Sequence, residues 1–181
     1  MGTYAADLQT MSVGLLLVRV VVGLIMAGHG AQKLFGWFGG YGVRKTGDFF
    51  AQLGFQPGTA FAAAASISEI VSGLLVTFGF LGPVGPALMI AVMIVAAITV
   101  HWGHGLFAQS NGIELPLLYT AAAFGLALTG YGQFSLDNAL GIAGHLPTSD
   151  TWIALAIGVV GGFANLALRR RPAVTAQANH A

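Results

Sequence analysis

The stretch Gly85-Pro86-Ala87-Leu88-Met89-Ile90-Ala91-Val92-Met93-Ile94-Val95-Ala96-Ala97-Ile98-Thr99-Val100 carries no charged side chain, and Thr99 is its one hydroxyl. A water-facing helix shows a polar face recurring every 3.6 residues, and none exists here. The length suits a helix that crosses a hydrocarbon core about 30 Å thick. Working outward, four more segments read the same way: Ser12 to Gly28, Thr59 to Leu81, Leu115 to Gly130 and Trp152 to Leu168. Of 181 residues, 56% are hydrophobic and 7% charged, against about 25% charged in an ordinary soluble domain. The surface must therefore be lipid. The expected fold is all-α: an integral membrane helical bundle of five spans, forming one transmembrane domain over 1–181.

Gly is abundant, at 27 residues, as suits helices that pack closely in lipid. The segment 131–151 reads as a loop with a short amphipathic helix, followed by a last transmembrane helix over 152–168 and a tail over 169–181. Thr148, Ser149 and Asp150 supply N-cap side chains for that helix, and Ala154, Gly158 and Gly162 form a stripe of small residues for docking. The N-terminus lacks the basic region of a cleaved signal and is expected to be retained.

Of the seven Lys and Arg residues, only Arg19 falls inside a span. With five spans, Lys33, Arg44, Lys45, Arg169, Arg170 and Arg171 all share one side. By the positive-inside rule that side is cytoplasmic and the N-terminus is outside, in a bacterial or archaeal plasma membrane.

Arg19 falls about 15 Å from the cytoplasmic end of the first span if that end is near His29. Glu69 falls about 13 to 15 Å from the start of the second. Equal depth and opposite charge predict that they pair inside the bundle, either as a structural ion pair or as a group that moves a proton or binds a polar head. Ser66, Ser72 and Gly73 around Glu69 turn it inward.

The same topology gathers His29, Lys33, His101, His104 and Glu114 at one membrane face, with Trp37 and Trp102 at the same level. The expected site is a pocket bounded by His29, Lys33, His101 and Glu114 and roofed by Leu34 to Phe38. Arg19, Glu69, His29 and His101 are the candidate catalytic groups, and Lys33, Trp37, Trp102 and Glu114 the candidate cofactor-binding ones. A His titrating near neutrality suits proton exchange with a quinone. The competing readings are an aromatic belt for the Trp side chains and snorkelling for Lys33. No metal-ligand spacing is present, and a haem between His29 and His101 would sit more naturally deeper in the bundle, so metal and haem are disfavoured. With no cysteine, the chain carries no dithiol relay. Phosphate loops, dinucleotide fingerprints and nucleophile elbows are missing, and nothing suggests nucleic-acid binding.

Leu16-Leu17-Val18-Arg19 with Gly23, His29-Gly30-Ala31-Gln32-Lys33-Leu34-Phe35-Gly36, Glu69 with Gly73 and Gly79, Met93 through His101, Asn111-Gly112-Ile113-Glu114, and Gly130 through Asp137 resemble, in this order, the DoxX family of small membrane proteins. The resemblance covers about residues 12 to 137. It implies a four-helix membrane core, here extended by a fifth helix, and redox roles as membrane subunits beside soluble partners. Three function classes follow: a quinone-interacting subunit of a redox complex with a soluble partner on the cytoplasmic side; a transporter or channel for a small solute; and a scaffold that anchors a soluble redox enzyme. Homo-oligomers fit any of the three.

Overall fold

A helix in lipid must satisfy its own backbone, and an apolar run long enough to span does so without interruption. The computed structural model describes residues 2–145 and 147–170; Arg171 and the remainder of the expected tail lie outside these. The first helix, α1 (Gly2–Phe35), is followed by a short helix α2 (Gly42–Gln52), then α3 (Gly58–Phe78), α4 (Val84–Ala96), α5 (Glu114–Thr129), a single turn α6 (Leu136–Ala139) and α7 (Thr148–Ala167). Beyond Ala96, α4 continues as a π-helical turn, Ala97–His101.

Among the described residues, four helices are long and apolar enough to cross a bilayer: α1, α3, α4 with its extension, and α7. The fifth, α5, has 16 residues and so is shorter, about 24 Å. The chain nevertheless runs end to end five times. Its last described residues return to the corner between α2 and α3, where the Arg170 N–H donates to Gly54 O at 2.8 Å. Arg169 donates from Nε to Leu53 O at 2.9 Å and stacks over the Phe55 ring. Lys33, Arg44, Lys45, Arg169 and Arg170 therefore share one end of the bundle.

Packing is through small residues, because lipid gives helices little hydrophobic reason to associate and close backbone approach must supply the attraction. α1 lies on α3 with Gly23 against Gly73: a methyl on either would sit 2.5 Å from the other's carbonyl oxygen. α7 lies on α4, with Gly158 against Ala87 and Gly162 against Ala91 and Ile94. That docking uses the predicted stripe. The predicted cap does not form: Pro147 precedes the helix, and Thr148, Ser149 and Asp150 occupy its first turn without capping it. The apolar core, with Met26, Val76, Met89, Ile90, Met93, Ala123 and Leu155, fills the middle.

The connection between the first two spans contains a helix of its own. Residues 42–52 form α2, which turns Thr46 and Gly47 inward and leaves Arg44, Lys45 and Asp48 exposed. Thr46 Oγ1 donates to Gly42 O at 2.8 Å.

Candidate functional site

Two polar clusters lie at different depths. The register of α1 on α3 sets both, since Gly23 meets Gly73 and Thr77 while Gly30 meets Ser66 and Ile70.

The first cluster holds Arg19, which is 2% exposed. Its guanidinium lies beside Gly79 and donates to Phe134 O from the loop after α5. Gly79 closes α3 in the left-handed conformation, φ 63°, and its carbonyl accepts from Asp137 N at 3.0 Å. The buried Asp137 carboxylate accepts in return from Leu81 N at 2.9 Å and Gly82 N at 2.6 Å, across the turn into α4. Burial first, and the Asp137 charge second, push the Tyr131 phenol above its ordinary range, with Arg19 pulling the other way. The Gly130–Asp137 segment is thus a clip over the α3–α4 turn, and Arg19 is its anchor.

The second cluster holds Glu69, also 2% exposed, whose Oε1 accepts from Lys33 Nζ on α1. The expected Arg19–Glu69 pair does not form. Gly79, at the level of Arg19, is ten residues from Glu69 along α3, which is about 15 Å. The depth argument failed because α1 does not end near His29 but runs to Phe35. The extra turns carry Lys33 to Glu69 and leave Arg19 near the opposite end.

Lys33 and Glu69 stand in the wall of a cavity of about 780 Å³. Its roof is α2 with the residues that flank it, through Tyr41, Lys45, Thr46, Phe49, Phe50 and Leu53. Ser68 and Phe61 of α3, Val92, Val95 and Thr99 of α4, and Gly161, Gly162 and Asn165 of α7 make the other walls. The expected pocket at this end exists, but its boundary differs. Lys33 and His101 line it; His29, Glu114, Trp37 and Trp102 do not. His29 packs edge-on against Tyr119 of α5, with ring centroids 6.1 Å apart. Glu114 accepts from Ala108 N at 2.7 Å and so fastens the loop before α5. Trp37 and Trp102 are exposed, and the roof is α2 rather than Leu34 to Phe38, because the chain turns away at Gly36 and comes back as a helix.

His101 ends the π-helical turn, and its Nδ1 bonds Asn111 O at 2.8 Å. If Nδ1 carries the proton, Nε2 is left as an acceptor. A π-helical turn widens a helix locally and recurs at functional sites. Glu69 Oε2 has no hydrogen-bond partner among the described residues. The described residues contain no group of three or more His, Cys, Asp or Glu able to hold a metal ion. The sequence reading missed Asn165 as a wall residue, although a polar amide in an otherwise apolar span was a visible signal.

These features define a multi-pass helical membrane protein with a polar pair set into an apolar cavity. A sequence model of the DoxX family, described as DoxX, matches residues 14–102, and this match supports membership of the DoxX family. The match runs from Gly14, within α1, to just past the π-helical turn, and so includes both partners of the Lys33–Glu69 pair. It stops short of Asn111 to Glu114 and of the clip at Gly130–Asp137. No curated protein and no solved structure matches the chain.

Proposed function

We propose that this protein is a quinone-interacting membrane subunit of a redox complex, with the cavity beneath α2 as the carrier site. The observation that carries the reading is the Lys33–Glu69 pair in the wall of a mostly apolar cavity. Apolar walls with a few convergent polar groups fit a carrier with a polar head and a greasy tail. A buried ion pair that serves packing alone gains little over an apolar one, so its position beside open space favours a working role.

In this reading Lys33 donates to an oxygen of the head group, and Glu69 gives or takes the proton that accompanies electron transfer. His101, at the mouth, relays that proton toward water. Electrons pass to a redox group on a soluble partner, since the chain has no cysteine for a dithiol relay. The partner docks at the basic end, which the positive-inside rule makes cytoplasmic in a bacterial or archaeal plasma membrane.

The test is quinone analysis of the protein purified in mild detergent, with photo-crosslinking by an azidoquinone. Near-stoichiometric quinone, and crosslinks on α2, α3 or α4, are the expected result. Absence of both overturns the reading and leaves the solute-transport and scaffold classes.

A further inference from the structure

We propose that the cavity opens sideways into the bilayer between α3 and α7, with Ala64 and Gly161 as the rims of the opening, and takes a guest that arrives dissolved in the membrane. The opening follows from geometry alone; that the guest is the carrier rests on the reading above.

Three faces of α4 define the space. It turns Met89, Ile90 and Met93 to the core, Ala87 and Ile94 to α7, and Leu88, Val92, Val95 and Thr99 to the cavity. Both α3 and α7 pack on α4. The cavity takes its side walls from those two helices, while α1 supplies only Lys33 and no described residue of α5 or α6 lines it. Beneath the α2 roof, no described helix therefore stands across from the third face of α4.

Each side wall ends in a small residue where it meets lipid. On α3, Ala64 is exposed and shares a helix face with the exposed Ile67 and with Ser68 of the cavity wall, three and four residues on. On α7, Gly161 is exposed and lies four residues after the exposed Ile157 and four before Asn165 of the wall. Ala64 is six residues from the start of α3 and Gly161 six from the end of α7, so each lies about 9 Å in from the basic end. The two rims are level, because Arg169 and Arg170 tie the end of α7 to Leu53 and Gly54 just before α3.

Neither rim can close the gap. A methyl at Gly161 would meet nothing within 4 Å, and Ala64 ends at its own methyl. Space left beside a packed helix forfeits dispersion contacts, so an alkyl chain is its natural filling. Phe49, Phe50 and Leu53 cover the basic end, whereas exposed Ile67 and Ile157 flank the side opening. An amphiphile can thus lay its tail out between Ala64 and Gly161 while its head reaches Lys33 and Asn165.

The first measurement needs neither a variant nor a quinone. Native protein in vesicles of phosphatidylcholine with a diazirine on the acyl chain is irradiated, and adducts are mapped by mass spectrometry. Adducts on Val92 and Val95, as well as on the outward Ile67 and Ile157, are the expected result. Adducts on the outward residues with none on Val92 and Val95 overturn the side opening. The second measurement follows the guest. Because the chain has no cysteine, Gly161→Cys carries a single thiol. Crosslinking by the azidoquinone is compared in one preparation before and after that thiol takes pyrene maleimide, so a change in folding of the variant does not enter. Crosslinking should fall to the background left by excess decylubiquinone, while pyrene on Ala139→Cys, at the other end of the bundle, leaves it unchanged. Undiminished crosslinking with pyrene at position 161, or an equal loss from both positions, overturns entry between α3 and α7. If the native protein takes lipid adducts on Val92 and Val95 but no azidoquinone, the side opening stands and the carrier-site reading falls.

Discussion

Lys33 and Glu69 form an unequal pair: the carboxylate is 2% exposed and the ammonium 35%. Their removal is therefore unequal too. Lys33→Met leaves the buried carboxylate without its partner and is expected to cost about 3 kcal/mol, near the lower end for a broken buried pair. Glu69→Gln leaves a lysine that can turn toward solvent, as long amphipathic side chains do, and is expected to cost about 1 kcal/mol or less. Lys33→Met combined with Glu69→Leu should recover most of the loss. Thermal unfolding in detergent measures all three, and equal losses in the two single variants would refute the asymmetry.

Asp137 is a structural carboxylate. Asp137→Ala bares the N–H groups of Leu81 and Gly82 and should cost about 2 to 4 kcal/mol, while Asp137→Asn retains one acceptor and loses less. Because the clip is far from Glu69, the carrier-site proposal expects quinone content to survive in any Asp137 variant that remains folded. Loss of quinone from a stably folded Asp137→Asn protein would contradict this division of labour.

The Tyr131 phenol is held above its ordinary value of 10.0. The unfolded chain gives up this proton first, so the group's contribution to stability is full below about pH 10 and is lost as pH rises further. Tyr131→Phe should lessen the alkaline loss. At neutral pH it should be neutral or stabilising by up to about 1 kcal/mol, since the hydroxyl is buried with no partner among the described residues. Melting curves at pH 7 and pH 10.5 would show it, and a steeper alkaline loss in the variant would count against the burial.

Two glycines on α7 should respond oppositely. A side chain at Gly158 runs into the Ala87 carbonyl, so Gly158→Leu is expected to cost about 1 to 3 kcal/mol by overpacking. Nothing lies within 4 Å of a methyl at Gly161, so Gly161→Ala should leave the melting temperature unchanged. Similar melting temperatures for the two variants would mean that α7 does not pack on α4 as described.

The chain has no cysteine, so single cysteines report sidedness cleanly. In intact cells a membrane-impermeant maleimide should label Ala139→Cys, and label Gln56→Cys only after permeabilisation. The reverse pattern would invert the orientation.

The sequence made the helices legible and their ends less so. Spans 85–100, 115–130 and 152–168 agree with α4, α5 and α7 to within a few residues, because an uninterrupted apolar run has one stable answer in lipid. Arg19 and Glu69 were recognised as inward-facing, and both are buried. Their partners were not, since a shift of the α1 end from His29 to Phe35 moves every depth by about 9 Å. Gln32 and Lys33 look like an exit from the membrane, yet a lysine extends along a helix to find its partner without ending it. The cavity was foreseen at the correct end but with the wrong walls. Hydropathy says which residues avoid water, and it says little about which helix stands opposite which.

The two ends of the bundle are tied with different strength, and that difference has a mechanical meaning. At one end Asp137, Gly79, Leu81 and Gly82 exchange hydrogen bonds, Arg19 holds Phe134, and the Gln133 N–H donates to Ser12 Oγ at 3.3 Å. At the other, α7 meets the α2–α3 corner through the Leu53 and Gly54 carbonyls. The arrangement is that of tongs, with the pivot at Asp137 and the jaws at Glu69 and Asn165. Splaying of α7 away from α3 widens the grip most where the guest would sit and least at the pivot. Spin labels spanning the jaws should therefore give a broader distance distribution than labels spanning the pivot, and one that narrows when the jaws close on something.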